Sequence, residues 1–131
     1  MRFLVKCEIP TETGNEALAD REFGRKMEMV LKEVKAEAAY FTTVNGCRGG
    51  YIVVNMDDAS QIPAIAEPFF LWLEAKLEFL PVMTPADLAK AGPAIEAAVK
   101  KWNVRSGIPE WYSWVVSNHR PSDPQSDALT N

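Results

Sequence analysis

The chain has 131 residues, of which 47% are apolar and 24% charged, and a formal net charge of −4. This length and composition are typical of one soluble globular domain and exclude collagen-like, coiled-coil and fully disordered proteins. The charge is shared evenly between the two halves of the sequence, without the clustered basic face that is typical of nucleic-acid binders. We therefore expect no nucleic-acid partner.

The remaining compositional features concern location and metal binding. No segment approaches the roughly 18 apolar residues of a membrane helix, and charged residues interrupt the apolar ones at the N-terminus, so no signal peptide is predicted. Cys7 and Cys47 are far apart in sequence and His119 is the single histidine, which gives no zinc-ligand spacing. We expect a cytoplasmic protein with no membrane partner, metal or cofactor.

From Arg2 to Ile9, side chains of two kinds alternate, which predicts a strand. Phe3 and every second residue after it are expected on its buried face. A loop is expected at 11–14. The period then changes to that of a helix capped at Asn15 and continuing to about Val34. The apolar stripe of that helix consists of Phe23, Met27, Val30, Leu31 and Val34.

The next elements form a hairpin. β-Branched and aromatic residues predict strands at 38–44 and about 48–56. Asn45-Gly46 between them is the strongest short hairpin signal. The Gly49-Gly50 pair at the start of the second of these strands indicates a bulge or a close approach of the backbone.

The second half of the chain repeats the order of helix and strand. A helix is expected from about Ile62, with caps at 57–60 and a possible kink or early end at Pro68. A fourth strand is expected at about 75–83. Thr84 then caps a helix that runs to about Lys101 or divides in two at Gly92-Pro93.

The order strand, helix, strand, strand, helix, strand predicts an α+β, ferredoxin-like βαββαβ fold. The sheet is expected to be antiparallel, with the helices on one face and an added C-terminal helix. If residue numbers paired between the first and fourth strands add to about 84, Lys6 lies opposite Glu78 and Glu8 opposite Lys76. The free sheet face then combines charge pairs with leucine and valine side chains, which favours its burial by a second copy of the chain over exposure to solvent.

Four runs of sequence carry a resemblance to known proteins, at 1–6, 37–42, 57–68 and 81–85. They are MRFLVK, EAAYFT, DDASQIPAIAEP and PVMTP. Over residues 1–102 the chain resembles a family of short bacterial proteins without an assigned function. It is similar more widely to the dimeric α+β barrel superfamily, which includes muconolactone isomerase-like proteins, YCII-like proteins and cofactor-free monooxygenases. The resemblance implies a homodimer but no particular reaction, since one fold hosts many functions.

The candidate site residues are polar side chains near possible cavity walls. Glu67 and Tyr40 are the candidate catalytic residues, and Arg48, Asn55 and Glu78 are candidates for orienting a small polar ligand. The first hypothesis is a homodimer that binds a small molecule, with isomerase-like proton transfer as its candidate reaction. It predicts a closed pocket containing at least two of Tyr40, Arg48, Glu67 and Glu78. The alternative is a non-catalytic ligand-binding or assembly module with a filled core.

The sequence leaves two questions open, namely the state of the two cysteines and the role of the C-terminal residues. Cys7 and Cys47 fall on neighbouring strands and lie close together if the fold is right, although free thiols are the commoner state in the cytoplasm. Residues 103–131 lie beyond the ferredoxin-like domain of residues 1–102. They form an extension with an aromatic segment, Trp111-Tyr112-Ser113-Trp114, followed by a polar tail that is predicted to be disordered.

Overall fold

The computed structural model describes residues 1–103, and the predicted aromatic segment and polar tail lie outside them. A first compact unit, Met1–Met83, holds the sheet and three helices, and a second unit begins at Thr84. The elements of the first unit are β1 (Arg2–Glu8), α1 (Thr11–Ala19), α2 (Phe23–Glu33), β2 (Ala38–Val44), β3 (Cys47–Asn55), a 3₁₀ turn (Ala59–Gln61), α3 (Ile62–Leu73) and β4 (Lys76–Pro81). The second unit contributes α4 (Pro85–Lys90) and α5 (Gly92–Trp102).

The four strands form one antiparallel sheet in the order β2-β3-β1-β4. This order confirms the predicted α+β class and is consistent with the ferredoxin-like fold. The β2–β3 hairpin turns at Asn45 and Gly46, which both have positive φ, +50° and +80°. Two successive positive φ values match the type I′ turn whose twist suits a two-residue hairpin, as the Asn-Gly pair predicts.

The register places different side chains on the two faces of the sheet. Lys6 lies opposite Glu78 and Glu8 opposite Lys76, as predicted. The Lys6 ammonium is 3.9 Å from the Glu78 carboxylate, whereas Glu8 accepts a 2.7 Å hydrogen bond from the Asn45 side chain. We call this side of the sheet the open face. By register it carries Leu4, Lys6, Tyr40, Tyr51, Val53, Glu78 and Leu80.

The other face of the sheet packs against α1, α2 and α3 and forms the core. Val5 and Val54 of the central strands and Phe69 and Leu73 of α3 are almost completely buried. The Phe23 ring of α2 lies 5.5 Å from the ring of Trp72, which ties α2 to α3. Burial of these side chains, worth roughly 1.5–3 kcal/mol each, holds the helices on this face.

The prediction of a single helix capped at Asn15 was wrong. Two helices occupy this stretch, and the first begins at Thr11, where a loop was expected. Asp20 separates them: its side chain accepts hydrogen bonds from the Glu22 amide at 2.9 Å and from Lys26 at 2.7 Å. Asn15 lies inside α1 and binds another element instead of capping a helix.

Helix boundaries in the second half follow the predicted caps. Asp58 and Gln61 form a capping box at the 3₁₀ turn, and Thr84 and Asp87 form another at the start of α4. The last predicted helix is divided at Gly92, giving α4 and α5. The helix α3 continues through Pro68 to Leu73, so this proline does not end it. Within residues 1–103, no helix is long and apolar enough to cross a membrane.

Gly49 and Gly50 let the backbone of β3 come close to both of its neighbours. A Cβ atom at Gly49 would collide with the Cys7 carbonyl oxygen of β1 and lie 2.9 Å from a methyl group of Val44. A Cβ atom at Gly50 would collide with the Tyr40 carbonyl oxygen of β2. The backbone atoms that are struck cannot rotate away, so both positions require glycine.

We predict that Gly49→Ala lowers the free energy of unfolding by about 2 kcal/mol or more, because the added methyl group forces the central strands apart. The matched control is Gly24→Ala, since a Cβ there meets no heavy atom within 4 Å. The control should be neutral or stabilising by up to about 1 kcal/mol. Urea denaturation followed by circular dichroism measures both, and equal stabilities would contradict the steric account.

Candidate functional site

A cavity of about 400 Å³ lies between the core face of the sheet and the helices α1 and α2. Its floor is formed by strands β1, β2 and β3, and Phe69 and Leu73 of α3 contribute to its wall. The apolar lining includes Ile9, Leu18, Phe23, Met27, Leu31 and Ile52. The volume falls within the roughly 300–1,000 Å³ of small-molecule sites, and a mainly apolar lining is typical of them.

Missing side chains account for this cavity. Gly50 lies on the core face of β3 between Cys7 of β1 and Phe41 of β2, and it adds no side chain to the floor. Gly14 of α1 and Gly24 of α2 also line the cavity. Glycine in a helix costs roughly 0.5–1 kcal/mol relative to alanine. Gly14 and Gly24 lie inside helices and not at a C-terminal cap, where glycine is common. Their presence in the sequence is therefore the signal for this hollow.

Arg48 is the charged residue of the lining. Its side chain passes over Gly14: a Cβ there would lie 2.9 Å from Nη1. Nη1 donates a 2.9 Å hydrogen bond to Oδ1 of Asn15, a neutral acceptor. In the part of the chain that the structure describes, no carboxylate lies within ion-pair distance of Arg48. The guanidinium, with five N–H donors, therefore retains capacity to bind an anion.

The structure does not gather the other predicted residues around Arg48. Tyr40 lies in a β2 segment that lines the cavity, but the register directs its ring to the open face, where it is 63% exposed. Glu78 is also on the open face, paired with Lys6. Glu67 is exposed on α3 and is not part of the cavity lining. Of the four residues expected to meet in one pocket, Arg48 and Tyr40 belong to the cavity lining, and Arg48 is the one whose polar group lies along the wall.

Asn55 belongs to a separate polar cluster at the far end of the sheet. Its side chain donates to one oxygen of Glu37, and Nε of Arg2 donates to the other at 2.9 Å. The hydrogen bond from Arg2 is the main cause that lowers the pKa of Glu37, with Asn55 adding to it. This exposed cluster links β1 and β3 to the segment that precedes β2.

The two cysteines are both free thiols. Cys7 is buried on the cavity floor, and burial raises the pKa of its thiol from 9.0 to about 11. Cys47 is partly exposed and accepts a weak 3.8 Å hydrogen bond from the Thr11 hydroxyl. A thiol with a raised pKa is almost wholly protonated near neutral pH, so Cys7 lacks the thiolate that nucleophilic catalysis requires. Within residues 1–103, no group of three or more potential ligands is arranged to hold a metal ion.

We predict that iodoacetamide labels Cys47 before Cys7 in the native protein at about pH 8, since Cys7 is buried and about one in a thousand of its thiols is ionised there. Because the folded-state pKa is raised, the neutral Cys7 thiol stabilises the fold below pH 9.0, and this contribution is lost as the pH rises to about 11. Mass spectrometry of timed digests measures the rates at which iodoacetamide labels Cys47 and Cys7. Equal labelling rates, or an unreduced mass lower by two hydrogens, would contradict the assignment.

Comparison with known proteins gives a family and no activity. The sequence model of the family described as "Domain of unknown function (DUF3303)" matches residues 1–96. No curated protein matches the chain. The matched residues include the whole sheet and every residue that lines the cavity, so the fold and the hollow described above fall within the shared region. The match covers well over half of the sequence, and the chain belongs to this family.

Proposed function

We propose that this protein binds a small, mainly apolar molecule in the cavity between the sheet and α1 and α2. The observation that carries the proposal is a hollow of about 400 Å³ that is walled by aliphatic and aromatic side chains and also lined by Gly14, Gly24 and Gly50. An unfilled hollow of this size loses the packing contacts that would otherwise stabilise the core. A ligand that fills it recovers those contacts, which is a physical reason for binding.

The lining supports binding better than catalysis by proton transfer. A general base needs a pKa near the working pH. Cys7 is protonated near neutral pH, because burial raises its pKa to about 11, and the Arg48 guanidinium offers N–H donors but no acceptor for a proton. Glu67, the acid predicted for this role, is exposed on α3 outside the lining. We therefore favour a ligand-binding protein over an isomerase-like enzyme.

We predict that the neutral fluorophore N-phenyl-1-naphthylamine binds with a rise in fluorescence and that straight-chain alcohols displace it. Each added methylene should tighten alcohol binding by up to about fourfold until the cavity is full, since a buried methylene contributes about 0.8 kcal/mol. Two filling variants, Gly24→Leu and Ala39→Leu, should weaken binding of the fluorophore at least tenfold.

The matched control is Leu71→Ala, which removes an apolar side chain that is 80% exposed on α3 and lies outside the cavity. Circular dichroism and melting temperature establish that each variant is folded before titration. Absence of fluorophore binding by the wild type would contradict the proposed function. So would equal affinity in folded variants with the cavity filled and in the wild type.

We also propose that the chain forms a homodimer through the open face and that its family belongs to the dimeric α+β barrel superfamily. This proposal is supported by the apolar and aromatic side chains of the open face. Leu4 and Val53 lie there, together with Tyr40 and Leu80, which are 63% and 38% exposed. Pairing two such faces removes these side chains from water, and a two-fold axis makes one face complementary to itself.

We predict a mass near twice that of the 14.6 kDa chain in multi-angle light scattering. Leu80→Glu should shift the protein to monomer, because two-fold symmetry buries two added carboxylates at the interface. Leu71→Glu, on α3, is the control and should remain dimeric. A monomeric wild type would contradict the dimer, and a Leu80→Glu variant that stays dimeric would contradict the open face as its interface.

A further inference from the structure

We infer that the ligand of this cavity is a monocarboxylic acid with an apolar body, and that Arg48 binds its carboxylate. This inference rests on the proposed function, because it assigns the chemical class of the molecule that enters the same hollow. Its basis is one guanidinium on an otherwise uncharged wall.

Within residues 1–103, Arg48 has no carboxylate partner. Four cations of the first unit have carboxylate partners within 4 Å: Arg2 with Glu37, Lys6 with Glu78, Arg25 with Glu22 and Lys26 with Asp20. Within residues 1–103, Arg48 has a neutral amide as its hydrogen-bond partner instead. Arg48 is exposed, so water hydrates its guanidinium in the free protein, and a carboxylate bound beside the apolar hollow would form a charge-assisted hydrogen bond with it.

Gly14 and Asn15 of α1 determine the position of the Arg48 side chain. Asn15 accepts from Nη1 of Arg48, and Gly14 leaves room for the guanidinium to lie against α1. The arginine is thus held along the cavity wall by a hydrogen bond that leaves its charge uncompensated. Arginine binds a carboxylate through two parallel N–H···O bonds, which fixes the orientation of the ligand as well as its charge.

The cavity lining provides one positive charge, that of Arg48. The remaining lining consists of apolar side chains, glycines, Thr42, Tyr40 and the protonated thiol of Cys7. None of these offsets a second negative charge, and burying an unpaired charge is costly. The lining therefore selects a ligand with one carboxylate at one end and an apolar remainder, such as a medium-chain or aromatic monocarboxylic acid.

The test compares decanoic acid with 1-decanol as competitors of N-phenyl-1-naphthylamine at about pH 7.5, where the acid is ionised. We expect the wild type to bind decanoate roughly tenfold more tightly than decanol, because only decanoate forms a charge-assisted hydrogen bond with Arg48. Arg48→Gln should lose that preference while it still binds decanol. Arg48→Lys should keep part of it, because lysine retains the charge but not the paired donors.

Two further variants separate charge from position. Arg21→Gln removes an arginine that does not line the cavity and should keep the preference for decanoate. Gly14→Ala leaves the charge in place but puts a methyl group 2.9 Å from Nη1, so the guanidinium must shift and the preference should fall. In the wild type, added sodium chloride should weaken decanoate binding and leave decanol binding unchanged.

The outcomes distinguish this inference from the function on which it rests. Failure of the fluorophore to bind the wild type would overturn both. Binding of the fluorophore with equal affinities for decanoate and decanol would overturn the carboxylate inference alone. A preference that survives Arg48→Gln in a folded protein, or one that is insensitive to salt in the wild type, would also overturn the role of Arg48.

Discussion

The absence of side chains at Gly49 and Gly50 is the constraint on which the rest of this structure depends. At Gly49 it lets β3 approach β1, and at Gly50 it lets β3 approach β2, so the three strands pair continuously where a Cβ would strike a carbonyl oxygen. The same absence leaves the core face of β3 bare at Gly50. Gly50 therefore serves both strand pairing and the floor of the cavity.

The helices complete the hollow without filling it. Helix α1 is fastened at two points: the Thr13 hydroxyl donates a 2.5 Å hydrogen bond to Glu74 at the end of α3, and Asn15 accepts from Arg48 of β3. Helix α2 is held to α3 by Phe23 and Trp72. At Gly14 and Gly24, which line the cavity, the two helices contribute no side chain to the space that they cover. The result is an apolar compartment with one cation on its wall, which suits binding of an amphipathic acid better than acid–base catalysis.

Much of the fold could be predicted because its signals are local. Alternation of apolar residues gave the faces of β1, the Asn45-Gly46 pair gave the hairpin, and opposite charges at Lys6 and Glu78 gave the register of β1 against β4. Helix α1 was missed because its sequence, TETGNEALA, contains glycine and two threonines and lacks an apolar stripe. Tertiary contacts hold it in place, and these are not visible in a local pattern.

The site was only partly predictable for a related reason. The sequence singles out Arg48 but also Tyr40, whose ring lies on the face opposite the cavity because side chains alternate along β2. Counting along the paired strands from Lys6 through Tyr51 to Tyr40 would have placed that ring on the open face. Glu67 was chosen for its apolar neighbours in sequence, yet the turn of α3 directs it to solvent. A cavity is a volume without protein atoms, so the sequence indicates it only through residues that lack a side chain, here the glycines.

The most direct test of the central claim locates the ligand inside the protein. Nuclear Overhauser effects between the protons of bound decanoate and the labelled methyl groups of isoleucine, leucine and valine report which residues touch the apolar chain. The account predicts contacts to Ile9, Leu31 and Ile52, which line the cavity, and none to Leu4 or Leu80 on the open face. Contacts confined to Leu4 and Leu80, or a saturated complex without contacts to the cavity methyl groups, would contradict it.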